Sequence, residues 1–143
     1  MTRVSFHFNV PQRLVYACRL LRKATRQNAR IAVTGEARQL AELDRALWSF
    51  EPTEFIPHVL LRDGQALPER LRDTPVCLMP TPVGAPHHDV LLNLGAQPPA
   101  GFESFERLIE IVSTDEADRA AARARWKHYA ARGYAIDKHE VEA

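Results

Sequence analysis

The apolar pattern of the first 47 positions constrains the fold more than any other feature of the chain. Residues 4–9 are β-branched or aromatic at most positions and read as an opening strand. Asn9 then stands as a helix cap, with Pro11 in the first helical turn, where its missing N–H is tolerated. Leu14, Ala17, Cys18, Leu21 and Ala24 recur at helical spacing, and Arg19, Arg22, Lys23 and Arg26 occupy the wetted face. Residues 30–34 form a short second strand, Gly35 turns the chain, and Leu40, Leu43 and Leu47 mark the buried stripe of a second helix. Strand, helix, strand, helix at this spacing predicts a parallel sheet with helical crossovers.

The rest of the chain extends that pattern. Pro52, Pro57, Gly64 and Pro68 punctuate residues 49–75, which read as loops with one short helix. Residues 75–79 and 89–94 look like buried strands, joined through Pro80, Pro82, Gly84 and Pro86. A second loop at 95–101 carries Pro98 and Pro99, and the β-branched run at 107–112 favours another strand. From Asp115 an alanine- and arginine-rich helix runs to Gly133, a natural stop. With 143 residues and neither repeat nor low-complexity linker, residues 1–143 are expected to form a single α/β domain. Apolar residues make up 45% of the chain and charged residues 26%, ordinary for a soluble globular protein. No apolar run approaches the roughly 20 residues of a membrane helix, and Met1-Thr2-Arg3-Val4 lacks the apolar h-region expected of a secretory signal. The expected location is the cytoplasm, without membrane attachment.

Catalytic readings find little support. The turn after the first strand is Asn9-Val10-Pro11-Gln12, without the glycines that let backbone N–H groups approach a pyrophosphate. Glu36 starts a helix favourably more readily than it holds a ribose. His87-His88-Asp89 is the one local metal-like cluster, but neighbours on a strand point to opposite faces, so surface or edge positions are the simpler reading. His58 lies in a loop with no nucleophile nearby in sequence, and no serine sits in a GxSxG elbow. Cys18 and Cys77, far apart in apolar runs, read as buried free thiols of a reducing compartment. No cofactor, metal or catalytic residue is expected. A net charge of +1 also argues against a protein that grips duplex DNA by its phosphates.

Two features invite a binding role. Trp48, Phe50, Phe55 and Ile56, framed by Pro52 and Pro57, either plug the core or form an exposed apolar patch for a partner. In the last helix Arg119, Arg123 and Lys127 fall on one side, with Trp126 and Ala130 between them. That face is either a solvated surface paired to Asp115, Glu116 and Asp118, or a receptor for an acidic peptide with an apolar end. A third reading stacks Trp126 on a base of single-stranded DNA.

At these features the sequence resembles the DNA polymerase III chi subunit family. Leu43-Asp44-Arg45-Ala46-Leu47-Trp48, continuing to Phe55-Ile56-Pro57-His58, is similar to its LD-x-ALW…F-[VI]-P-H signature. Arg123 to Tyr129, with Gly133-Tyr134, is similar to its R-x-R-[YW]-K-x-Y…G-[FY] ending, and Asp89 to Leu94 to its D-[IV]-L-[IL]-x-L strand. The matches keep order and spacing over nearly the whole chain. The resemblance implies a Rossmann-like, mostly parallel sheet flanked by helices and lacking a nucleotide site. It implies a non-catalytic subunit of a DNA-directed DNA polymerase that joins the clamp loader to single-stranded-DNA-binding protein. Arg123, Trp126 and Lys127, with Val112 as apolar neighbour, would take the acidic tail of that protein. Trp48 and Phe55 would take the psi subunit, or a repair helicase in alternative complexes, with DNA reached mainly through partners. Trp126 stands where many relatives carry tyrosine, and His87 and His88 where some are arginine-rich. The rival readings are a small nucleotide-binding α/β enzyme and a direct single-stranded DNA binder using the last helix.

Overall fold

The computed structural model describes residues 1–49, 55–62 and 64–141. The chain runs β1 (Arg3–Val10), α1 (Arg13–Arg26), β2 (Ile31–Thr34), α2 (Ala37–Ser49), β3 (His58–Leu60), β4 (Val76–Met79), β5 (Val90–Asn93), β6 (Arg107–Ser113), α3 (Glu116–Ala131) and β7 (Ile136–Glu140). Single 3-10 turns lie at Glu69–Leu71 and Phe102–Ser104. The strands form one sheet in the order β3-β4-β2-β5-β6-β1-β7, and every pairing is parallel. The α/β class expected from the sequence is the class observed.

Strand periodicity sorts the apolar residues into two layers. Ile31 and Val33 of β2 point to the side of α1 and α2, where they meet Cys18, Leu21, Leu40, Leu43 and Leu47. Ala32, between them, points the other way with Val4, Phe6, Cys77 and Leu91, under Ala122 and Tyr129 of α3. A sheet covered on both faces accounts for the near-continuous apolar runs of its inner strands. No helix among the described residues is long and apolar enough to cross a membrane.

Several local expectations change. Asn9 does not cap α1: it lies next to last in β1, in the left-handed region at φ 60°, where the pairing with β6 shifts register. Its amide donates instead to Glu140 Oε1 of β7, and α1 begins at Arg13 after an extended Gln12. Leu14 is 37% exposed, outside the buried stripe of Ala17, Cys18 and Leu21. His58 opens β3 where the sequence suggests a loop, and β7 follows Gly133 as an edge strand. Ile56 is buried, so it belongs to the core and not to an aromatic patch. Phe50 and Pro52, the other members of that cluster, lie outside the described residues.

Candidate functional site

The last helix is held to the sheet by a buried polar cluster. Glu110, in the middle of β6, has no exposure, and Arg125 of α3 is 1% exposed. Arg125 Nε donates to Glu110 Oε1 at 3.1 Å, and Tyr129 Oη donates to Oε2 at 2.6 Å. Asn93 Nδ2 of β5 reaches both carboxylate oxygens, and Arg125 Nη1 donates to the Ala96 carbonyl at 3.2 Å. Burial pushes the Glu110 carboxyl above its ordinary range, while Arg125, Tyr129 and Asn93 pull it back. Burial, and then the neighbouring Glu110, raise the Tyr129 phenol. Asp115 caps the helix start by accepting from the Asp118 N–H, and Asp118 accepts from the Ser113 N–H at 2.7 Å. The N-terminal half of α3 is thereby locked at the end of β6.

With Arg125, Tyr129 and Ala122 turned inward, helical geometry turns Arg119, Arg123 and Lys127 outward, and Trp126 sits half-buried between the two faces. Beside them runs an open groove of about 480 Å³ between α3 and the β1–β7 edge of the sheet. Phe6, Phe8, Val112 and Trp126 supply its apolar surface, and Arg119, Arg123 and Lys138 its charge. Trp126 packs on Phe6 with ring centroids 5.0 Å apart, and Lys138 Nζ lies 5.5 Å over the indole. Of the residues singled out in the sequence, Arg123, Trp126 and Val112 meet in this groove. Lys127 is exposed on α3 but does not line it. Lys138 and Phe6 were missed. Arg123 is 59% exposed and bonds Glu116 at 3.1 Å, an exposed pair worth only about 0.2–1 kcal/mol. An incoming carboxylate can displace Glu116 at small cost.

A second apolar surface lies on the opposite edge of the sheet, where α2 ends beside β3. Trp48 and Phe55 are 62% and 58% exposed, with ring centroids 5.2 Å apart, so the two rings form one patch. His58 lies beneath them, 4.9 Å from Trp48 and 6.0 Å from Phe55. Its Nδ1 donates to the Ile56 carbonyl at 2.7 Å, and its Nε2 is 3.2 Å from Asp44 Oδ1. The histidine that a loop reading left without a role therefore forms the floor of this patch.

The crevice at the carboxyl ends of the strands, where open α/β sheets take nucleotides, is largely occupied by the protein itself. Arg13 Nη2 and Gln39 Nε2 both donate to the Leu94 carbonyl, at 3.0 and 2.8 Å. The remaining cleft of about 160 Å³ is well below the roughly 300–1,000 Å³ of small-molecule sites. His87 is buried, contrary to the surface reading. Burial, then the charge of Arg30, lowers its pKa. His88 is exposed and stacks on Phe105 at 4.9 Å. Cys18 and Cys77 are free and buried, and burial pushes both thiols up to about 11, so neither is a ready nucleophile. Among the described residues no group of three or more His, Cys, Asp or Glu could hold a metal ion.

Residues 1–137 match the family model described as DNA polymerase III chi subunit, HolC. The chain is 36% identical over 148 aligned positions to the DNA polymerase III subunit chi of Pseudomonas aeruginosa, covering 99% of this chain and 98% of that one. It is 28% identical over 134 positions to the DNA polymerase III subunit chi of Haemophilus influenzae, covering 87% and 85%.

Proposed function

The chain belongs to the DNA polymerase III chi subunit family, and on that premise we propose that it is a non-catalytic replication adaptor in the cytoplasm, with two protein-binding surfaces. The α3 groove carries this reading. It combines an apolar floor, Phe6, Val112 and Trp126, with a cationic border, Arg119, Arg123 and Lys138. Such a surface suits a peptide that is acidic along its length and ends in an aromatic residue, the chemistry of the tail of single-stranded-DNA-binding protein. The terminal ring lies on Trp126 and Val112, and the carboxylates meet the cations, including Lys127 one turn beyond Arg123. Calorimetry with an acidic peptide ending in Pro-Phe is expected to give saturable binding. The same peptide without its final Phe should bind at least about tenfold more weakly, because burying the ring contributes about 1.5–3 kcal/mol. Equal affinity for both would mean that the helix is a solvated face.

The Trp48–Phe55 patch is the second surface, for the psi subunit or a functional substitute that ties the chain to the clamp loader. A repair helicase is an alternative occupant. Exposed paired aromatics over a fixed histidine have the form of interface hot spots, whose truncation costs about 2 kcal/mol or more. Phe55→Ala is expected to abolish capture of psi and leave the thermal midpoint almost unchanged, because surface substitutions stay within about 0.5 kcal/mol. A drop in stability of core size, about 3–5 kcal/mol, would remove the partner-surface reading.

A further inference from the structure

The modest net charge hides a strong asymmetry. Residues 1–35 contain seven arginines and lysines and no carboxylate, whereas residues 36–143 contain twelve against eighteen. Part of that cationic segment borders a further cavity, about 380 Å³, on the α1 side of the sheet and away from both surfaces described above. Leu20, Ile31, Val90 and Ile109 give it an apolar floor, and Tyr16, His7 and His139 an aromatic wall. Arg19 and Lys23 stand at its mouth from α1, and Arg107 faces them from the start of β6. Among the described residues none that lines it is acidic. Asp89, next to Val90, is already paired with Arg30 at 3.2 Å.

The local field agrees with this inventory. His7 hydrogen-bonds the Tyr16 hydroxyl, and its ring lies 5.0 Å from that of His139. Its pKa is pushed down to about 4, first by burial and then by His139, Arg107 and Lys23, all of them repelling a proton. An aromatic wall with cations at the mouth is a setting for a ligand with a flat apolar body and negative charge beside it.

We propose that this cavity is a single-stranded DNA site, receiving one unstacked base on its apolar floor and the flanking phosphates on Arg19, Lys23 and Arg107. The floor requires a base out of its helix, which excludes a paired duplex. Arg19 and Lys23 are i and i+4 on α1, about 6 Å apart at Cβ and so close to one backbone step of a single strand. With Arg107 on the facing side, the cations border the mouth from two sides, which suits a strand crossing it better than one free phosphate. Base stacking with phosphate contacts of this kind is tolerant of sequence. The site is independent of the peptide groove on α3.

The test uses the full chain and a fluorescein-labelled oligo(dT) of about 15 nucleotides, the upper size of one single-strand site. Anisotropy at low salt should show saturable binding, with log K falling against log salt at a slope of about −2 for three phosphate contacts. Lys23→Glu combined with Arg107→Glu should weaken the oligonucleotide at least about tenfold and leave binding of the acidic peptide unchanged. If that pair fails to fold by circular dichroism, Arg19→Ala with Lys23→Ala reads the same site at the helix surface alone. Absence of saturable binding, or wild-type affinity in a folded variant, overturns the proposal. So does displacement by equimolar thymidine monophosphate, which assigns a free nucleotide, or by the acidic peptide, which assigns a protein segment. An equal loss in Arg123→Glu overturns it too, by moving the DNA to α3.

Discussion

Arg125→Leu is expected to lower folding stability by about 3–5 kcal/mol at neutral pH, the cost of breaking a buried ion pair from one side. Among the described residues Arg125 is the one cation paired with the unexposed Glu110 carboxylate, and its removal leaves Glu110 with Tyr129 and Asn93. The defect should depend on pH. Even with Arg125 present, burial holds the Glu110 carboxyl above its ordinary value of 4.5, and losing the cation moves it higher still. Below the unfolded value both states are protonated and the carboxyl carries no penalty. As pH rises through 4.5 toward the folded value, the unfolded chain ionises first and stability is lost. Urea unfolding should therefore show a small deficit near about pH 4 and the full deficit at about pH 7. Adding Glu110→Leu should recover much of the loss, because an apolar pair of similar volume is often as stable as a buried ion pair. A deficit independent of pH would mean that Arg125 matters by packing alone.

The same cluster explains which parts of the molecule are legible in the sequence. The sheet is, because strands with apolar residues on both sides and helices with a three-four spacing leave few arrangements for the first two crossovers. The orientation of α3 is not. Its alanines at 120, 121, 122 and 124 give no apolar stripe, so Arg123 and Arg125 are equivalent in sequence although one is exposed and the other buried. The usable signal was in β6, where Glu110 lies in an otherwise apolar run between Ile109 and Ile111 and must find donors once buried. Arg125 and Tyr129, four residues apart, are such donors. β7 was missed because Ile136-Asp137-Lys138-His139-Glu140 reads as polar coil, the composition that protects an exposed edge strand. With β7 went Lys138, the cation over Trp126. His58 was missed because three residues of strand after a proline carry almost no periodicity.

Arg123→Glu is expected to weaken an acidic, Phe-terminated peptide by at least about tenfold, and Lys127→Glu by only about twofold to fivefold. Both are exposed cations on one face of α3, so charge counting alone predicts equal effects. Geometry separates them. Arg123 lines the groove that contains Trp126 and Val112, close to where the peptide's terminal ring and carboxylate would sit. A charge-assisted hydrogen bond there contributes about 1.5–3 kcal/mol when partly shielded, and the side chain's 59% exposure puts the value near the lower end. That is about one decade in affinity. Reversal adds repulsion to the loss, and the introduced carboxylate would also face Glu116, the former partner of Arg123. Lys127 lies outside the lining and meets the peptide across solvent, where an ion pair is worth about 0.2–1 kcal/mol. Rising salt should shrink the Lys127 effect first, since fully exposed contacts are screened most strongly. Both variants should keep the wild-type thermal midpoint, as neither side chain enters the core. Fluorescence anisotropy with the labelled peptide at two salt concentrations measures both effects together. Equal losses would show that the tail is drawn by the charge of the whole helix face, and an unchanged affinity in Arg123→Glu would exclude the groove as its seat.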